Sequence, residues 1–277
     1  MKKDPLSRLL YILVWGSALF TAALVGALIG FILIRGIPHL KLSLFSWKYT
    51  SENVSLLPSF LNTLAMTGLA LVSAVPLGIG AAIYLTEYAK RGNRLVGLVR
   101  VTSETLSGIP SIVYGLFGMI FFVDTLHMGL SLLSGAATMA VMILPLIMRT
   151  TEEALLSVPD SYREGSFGLG AGRLRTIFRV VLPSAVSGIL SGIILSIGRV
   201  AGETAALLYT AGTVASLPKN LFSSARTLSV HMYTLAGEGL HVNEAYATAV
   251  VLLGLVVVIN WLSSLAAGKL RKGGGHG

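Results

Sequence analysis

Long uncharged stretches recur along nearly the whole chain. A helix needs about 20 apolar residues to cross the roughly 30 Å hydrocarbon core of a bilayer. The stretches of suitable length are Leu9–Ile34, Asn53–Thr86 (densely apolar from about Leu61), Thr105–Val123, Thr125–Met148, Val180–Gly198 and Ala245–Gly268. They are apolar on all faces, whereas the strands of a membrane barrel alternate apolar and polar residues. The pattern predicts an all-α, polytopic helical membrane protein with six transmembrane helices.

The composition agrees with a membrane location. Of the 277 residues, 54% are hydrophobic and 12% are charged, about half the charged fraction of an ordinary soluble domain. There is no cysteine, which excludes disulfides and thiolate catalysis. The G-x-x-x-x-G-K-[ST] loop that cradles nucleotide phosphates is also missing, so we expect no ATP hydrolysis by this chain. We expect a non-enzymatic subunit with no metal and no other cofactor of its own.

The basic residues are distributed unevenly between the two sides of the predicted bundle. With the N-terminus in the cytoplasm, 15 of the 21 Lys and Arg residues fall on the inner side and 5 on the outer side. The remaining one, Arg199, falls inside a span. This asymmetry is what the positive-inside rule describes. We predict a multi-pass protein of a prokaryotic plasma membrane with both termini in the cytoplasm, whose net charge of +9 requires no nucleic acid.

The segment between the fourth and fifth spans is longer than a simple connection. It covers Arg149–Val180, and Ser161 and Glu164 in it have the spacing of a capping box, which predicts a short helix starting there. Gly168, Gly170 and Gly172 then interrupt this helix, because glycine is unfavourable in a helix interior. An amphipathic stretch follows at 173–182, and Pro183 opens the fifth span. The segment is predicted to be a compact cytoplasmic structure of helix, glycine turn and interfacial helix.

This segment resembles the EAA loop of ABC-importer permeases. That pattern reads E-A-A, three residues, Gly, nine residues, Ile, one residue, Leu-Pro. The matching residues here are Glu164, Gly165, Ser166, Gly170, Val180, Leu182 and Pro183, with departures at Gly165, Ser166 and Val180. In that family the loop forms coupling helices that sit in a groove of the ATPase subunit. The resemblance therefore assigns ATPase coupling to Ser161, Glu164, Gly165, Ser166, Gly170, Leu182 and Pro183.

Further stretches resemble the permeases of phosphate importers, in particular the PstA type. They are 106–118, 198–205 and 216–233 leading into 249–253. The resemblance implies a type I permease bundle that imports inorganic phosphate and forms half of the translocation pathway. It also implies four partners: a homologous PstC-type permease, a PstB-type ATPase dimer that binds ATP and Mg, a PstS-type extracytoplasmic phosphate-binding protein, and the lipid bilayer.

The same resemblance sets the domain organisation. Residues 1–60 comprise the cytoplasmic N-terminus, the first transmembrane helix and an outer loop. Residues 61–268 form the type I transmembrane domain of an ABC importer, with five helices and the coupling loop at about 149–183. Residues 269–277 form a cytoplasmic tail.

Arg199 and Glu203 stand out because charges inside a membrane span are costly and usually functional. They are four residues apart, which predicts a shared helix face. A guanidinium matches the oxygens of phosphate with its forked N–H donors, so we assign both residues to the substrate pathway, with Thr204 as a possible hydroxyl donor. Ser111 and Tyr114 are further pathway candidates, because the glycines and proline around them predict a broken third span that lines a cavity. A purely structural ion pair is the alternative for Arg199 and Glu203.

Small residues recur along the fifth predicted span. Gly188, Gly192 and Ser196 recur every four residues, which predicts close helix packing and suits an interface with a paired permease.

A permease for another anion remains an alternative function, since the assignment of phosphate rests on resemblance. A secondary transporter driven by an ion gradient is another, although it would ordinarily carry more intramembrane carboxylates. An intramembrane hydrolase would need a nucleophile–base pair or paired acids, and Glu203 is the one carboxylate predicted within a span.

Overall fold

The computed structural model describes residues 5–90 and 92–273, so that Lys2, Lys3, Arg91 and the end of the predicted tail from residue 274 lie outside it. The described residues contain α-helices and shorter helical turns and no strand, which confirms the all-α prediction. The α-helices are α1 (Pro5–Gly36), α2 (Leu57–Ile83), α3 (Arg94–Ser107), α4 (Ser111–Gly118), α5 (Leu132–Leu156), α6 (Asp160–Gly168), α7 (Arg173–Thr176), α8 (Leu182–Gly202), α9 (Ala205–Thr210), α10 (Leu228–Glu238) and α11 (Val242–Gly273). Three wider π-turns occur. Tyr84–Tyr88 prolongs α2, Met119–Thr125 prolongs α4, and Ile177–Val181 joins α7 to α8.

Five helical segments in the described residues are long and apolar enough to cross a membrane. They are Leu6–His39, Leu57–Tyr88, Leu132–Leu156, Arg173–Gly202 and Val242–Leu265. One further candidate is a bent pair, in which α3 meets the segment Ser111–Thr125 at 103°. The break falls at Gly108–Pro110, where proline favours an extended backbone before it and cannot donate a hydrogen bond. The described residues thus contain five straight segments and this bent pair, which agrees with six predicted spans if the pair counts as one. The predicted break in the third span is confirmed.

Helix α5 forms the centre of the bundle. It packs against α2 and α8, and 61% of its apolar window is buried within the chain, whereas none of the window of α1 is. Fully buried Met139, Ile143 and Ile147 of α5 meet Met66 of α2 and Leu207 of α9 in the main core. Helix α1 lies at the periphery and contacts α11. The bundle is therefore organised around a central helix whose C-terminal end leads directly into α6.

Close packing explains the glycines of the third span. A Cβ at Gly115 would lie 2.7 Å from the Ala206 Cα in α9. A Cβ at Gly118 would collide with Thr138 of α5 and Thr210 of α9. Because backbone and buried side chains occupy this space, α4 approaches both neighbours only with glycine at these positions. The third span is therefore closely packed against α5 and α9.

The small-residue stripe of α8 serves an internal contact. A Cβ at Gly188 would lie 2.6 Å from the Ala154 Cβ, and a Cβ at Gly192 would collide with Thr150. Both neighbours belong to α5. The expectation that this stripe suits an interface with a paired permease was wrong, because the stripe is already covered by α5.

The start of helix α10 is anchored to α2. The backbone N–H of Leu228 donates to the Thr63 hydroxyl at 2.8 Å, and the Asn62 amide donates to the Arg226 carbonyl at 3.1 Å. Buried Arg226 donates to the Thr213 carbonyl and contacts the ring of buried His231 at 3.3 Å. Burial and the neighbouring guanidinium lower the pKa of His231 to about 4.

Candidate functional site

The predicted arrangement of helix, glycine turn and second helix is present between the fourth and fifth spans, although its first helix begins in a different way. Helix α6 starts at Asp160, preceded by Pro159 in an extended conformation, and no side chain caps it. Ser161 and Glu164 therefore both lie inside the helix, and the predicted capping box was wrong. Pro159 supplies the extended residue before the helix. The negative charge of Asp160 lies in the first turn, where it interacts favourably with the helix dipole.

A glycine turn ends α6 and folds the chain back. Gly170 has φ +81°, a left-handed conformation that favours glycine. The N–H groups of Gly170 and Ala171 donate to the carbonyls of Phe167 and Ser166, which satisfies carbonyls at the end of α6. The hydroxyls of Ser166 and Thr176 lie 2.9 Å apart and join α6 to α7. We call residues 161–183 the coupling segment, and this turn makes it a compact unit.

Arg163 attaches the coupling segment to the ends of two membrane helices. Its Nε and Nη2 donate to Glu87 Oε1 at 3.1 and 2.8 Å. Its Nη1 and Nη2 also donate to the carbonyls of Val158 and Leu155 at 2.8 and 3.0 Å. The two charged side chains are only 16% and 10% exposed. We call these contacts of Arg163 with Glu87, Leu155 and Val158 the Arg163 clamp.

The coupling segment is also continuous with the fifth span. Arg173–Gly202 forms one helical unit, within which Pro183 lies in the first turn of α8, as expected for a residue that opens the span. The π-turn Ile177–Val181 precedes Pro183, and a locally wider helix accommodates a residue that lacks an N–H. Leu182 packs against a buried cluster that includes Val158 and Val181. A displacement of α7 is therefore transmitted directly to α8.

The coupling segment has an exposed surface that is largely apolar. Glu164 and Gly165 are exposed, and Gly165 has open space where a Cβ would be. Large exposed side chains surround them, namely Tyr162, Phe167, Leu169, Leu174 and Phe178. An exposed apolar patch with a charge in it is typical of a protein-binding surface.

The membrane-embedded pair differs from the sequence prediction. Helix α8 ends at Gly202, and Glu203 has an extended backbone with ψ 130°. Arg199 and Glu203 therefore do not share a helix face. The Glu203 carboxylate accepts the N–H of Ala206 at 3.2 Å and so caps α9. Among the described residues the structure shows no ion pair to Arg199.

The candidate pathway residues fall into two places. Arg199 is half-buried and lines a cavity of about 810 Å³ between α5, α8 and α11, together with Ser191 and Asn260. Tyr114 is buried and donates to the Leu106 carbonyl at 2.8 Å.

The remaining candidates lie at helix starts. Thr204 lines a separate, mostly apolar cavity of about 610 Å³ that also includes Ile112 and Tyr209. Ser111 is half-buried in the first turn of α4. The structure thus places Arg199 and Thr204 in two separate cavities.

Two ion pairs at the end of the bundle that carries α6 were not predicted from the sequence. One is Glu87 with Arg163. The other joins Arg100 of α3 to buried Glu152 of α5, with Nε to Oε1 at 2.7 Å. Glu87 directly ends the second predicted span, and a single carboxylate at that position was the only signal.

The comparisons with known proteins agree with this geometry. The family described as "Binding-protein-dependent transport system inner membrane component" matches residues 74–272. The chain therefore belongs to this family of membrane permeases.

Particular relatives narrow the class. "Probable ABC transporter permease protein YqgI" of Bacillus subtilis strain 168 is 34% identical, over 92% of this chain and 93% of that protein. "Phosphate transport system permease protein PstA 1" of Mycobacterium tuberculosis is 38% identical, over 76% of this chain and 68% of that protein. Among solved structures, an inward-facing conformation of the MetNI methionine ABC transporter is similar with a TM-score of 0.60 and 22% identity, over 76% of this chain and 93% of that one. The last likeness shows a shared fold.

Proposed function

We propose that this chain is a permease subunit of an ATP-driven importer of inorganic phosphate. The observation that carries the proposal is its 38% identity, over three quarters of its length, to a permease named for phosphate transport. The chain forms one half of a translocation pathway and hydrolyses no ATP itself. Its partners are a second, PstC-type permease, a PstB-type ATPase dimer that binds ATP and Mg, and a PstS-type extracytoplasmic phosphate-binding protein.

The coupling segment is the proposed site of ATPase docking. Its exposed patch supplies the apolar contact area, and exposed Glu164 supplies a charge for a basic residue of the partner. The Arg163 clamp and the continuous helix 173–202 support a rigid connection to α2, α5 and α8. Docking motions would therefore move whole membrane helices, which is what alternating access between two sides of a bilayer requires.

Arg199 is the proposed contact for the transported anion. Phosphate must lose water in a narrow pathway, and forked N–H donors replace part of that hydration. Because Arg199 has no ion pair among the residues the structure describes, its charge is available to a passing anion. Tyr114 is a second candidate of the pathway, whereas Glu203 serves as a cap of α9 and is assigned no contact with Arg199. A permease must release its substrate, so we expect weak binding at this site.

The test is ATP-dependent phosphate uptake by the chain reconstituted with its partners in vesicles. We expect Arg199→Gln to impair uptake while the complex still assembles, and Glu164→Ala to weaken binding of the ATPase subunit. Lys48→Gln, an exposed position on the opposite side, serves as a matched control and should leave both unchanged. Normal uptake in both variants would refute the two residue assignments.

Two alternatives are separated by the same assay. A permease for another anion would show ATP-dependent uptake of that anion and none of phosphate. A secondary transporter would show uptake driven by an ion gradient with the isolated chain. Both termini are placed in the cytoplasm in this proposal, and labelling of the coupling segment from the cytoplasmic side tests that orientation.

A further inference from the structure

A second polar cavity lies beside the Arg163 clamp. It has a volume of about 810 Å³ and is bounded by the turn after α2, the start of α3 and the junction of α5 with α6. Its basic lining residues are Lys90, Arg94, Arg100 and Arg163. Its acidic lining residues are Glu87 and Asp160. The cavity thus carries an excess of positive charge.

Two of the basic residues of this cavity take no part in the ion pairs around it. Glu87 and Asp160 both bond Arg163, and Arg100 bonds Glu152. Lys90 and Arg94 form no ion pair among the described residues, and both are exposed. Two unneutralised cations at the mouth of a cavity attract an anionic group.

The surroundings of the cavity place it at the membrane surface. Tyr84 and Tyr88 at the end of the second span are exposed, and exposed tyrosines at a span end are typical of the interface with the headgroups. Lys90 follows two residues after that end. The cavity is therefore level with lipid phosphates.

Helix α3 supplies an apolar surface next to the same cations. It runs nearly perpendicular to the following membrane segment, at 103°. Leu95, Leu98 and Val101 are 68%, 62% and 63% exposed, whereas Val96 and Ser103 face the protein. A helix with a basic end and an exposed apolar side is typical of helices that lie in the membrane interface.

We propose that this cavity binds the headgroup of an anionic phospholipid of the cytoplasmic leaflet. Lys90 and Arg94 hold the phosphate, and the acyl chains lie against Leu95, Leu98 and Val101. An acidic surface of a protein partner would use the two cations but not these exposed apolar side chains. The lipid satisfies both, and at this position it also contacts the cavity wall that contains the Arg163 clamp.

The test measures lipid binding to the purified full chain in a neutral detergent. Native mass spectrometry counts bound phosphatidylglycerol and phosphatidylcholine over a titration. We expect the intact chain to prefer phosphatidylglycerol, and the double variant Lys90→Gln/Arg94→Gln to bind it about 25-fold more weakly, at about fivefold per basic residue near an anionic surface. Binding of phosphatidylcholine should not change.

Four controls keep the result interpretable. Lys90→Arg/Arg94→Lys keeps both charges and should retain the preference, and equal thermal unfolding shows that the glutamine variant folds. Lys48→Gln/Lys219→Gln removes two exposed charges elsewhere and should have no effect. Excess inorganic phosphate should not displace the lipid.

The proposal is overturned by any of three outcomes. They are equal affinity for the two lipids, an equal loss in the Lys48/Lys219 control, and displacement by free phosphate. If the glutamine variant keeps its lipid but loses the ATPase subunit, the surface is a protein-docking site instead.

Discussion

Replacing Glu87 by glutamine isolates the contribution of the Arg163 clamp. The amide keeps the size of the side chain and one acceptor oxygen, but it removes the charge that faces Arg163 at 2.8 Å. Hydrogen bonds to charged groups contribute about 1.5–3 kcal/mol, and removing one partner of a fully buried ion pair costs about 3–5 kcal/mol. Arg163 retains its bonds to Leu155 and Val158, so we expect a cost near the lower end, about 2 kcal/mol.

That cost should appear in ATPase docking rather than in folding alone. If the clamp holds α6 in its docking position, a loss of about 2 kcal/mol weakens ATPase binding by up to about 30-fold. Titrating the ATPase subunit against the reconstituted permease measures this change. Arg163→Lys should have a similar effect, because one ammonium cannot replace a guanidinium that bonds a carboxylate and two carbonyls at once.

The matched control is Glu104→Gln. Glu104 also pairs with an arginine, at 3.4 Å, but it is 70% exposed, and exposed pairs contribute at most about 1 kcal/mol. We expect docking within twofold of the unmodified protein. Docking at full affinity in Glu87→Gln, with the chain folded, would refute the role of the clamp.

Three further predictions concern the membrane and outer regions. Arg199→Lys should retain more phosphate uptake than Arg199→Gln, because it keeps the charge but loses the forked donors; equal uptake by the two variants would contradict this. Gly118→Ala should lower thermal stability by about 1–3 kcal/mol through overpacking, whereas Gly80→Ala, with open space at its Cβ, should not, and equal melting temperatures would disprove the packing. The folded state keeps His231 neutral down to a pKa of about 4, below its ordinary value of about 6.5. The unfolded chain therefore binds the extra proton first, and stability should fall as the pH drops from about 6.5 to 4, by up to about 3 kcal/mol; His231→Gln should flatten this dependence in acid unfolding curves.

Periodicity and charge were sufficient for the membrane helices because the bilayer imposes a simple rule on length and polarity. Helix periodicity was misleading at Arg199 and Glu203, where a four-residue spacing was taken to mean that both residues lie in one helix. Gly202 ends α8 between them, and a glycine near a helix end is a recognised stop signal. That signal was present in the sequence, and the pathway assignment of Glu203 depended on overlooking it.

The Arg163 clamp was not predictable from the sequence. Glu87 and Arg163 are 76 residues apart, and their pairing depends on how the ends of α2 and α5 pack. The coupling segment itself was recognisable, since Pro159 and the glycines from 168 to 172 delimit it locally. The contacts that join it to the bundle depend on tertiary packing, which local sequence propensity does not predict.

The most direct test of the account is uptake of radiolabelled phosphate into vesicles that contain the chain with its second permease, ATPase and binding protein. ATP is supplied on the side of the coupling segment. We predict uptake that requires ATP and every partner, and that is lost when residues 161–183 cannot engage the ATPase. Phosphate uptake by the isolated chain, or an undiminished rate after the coupling segment is disabled, would contradict it.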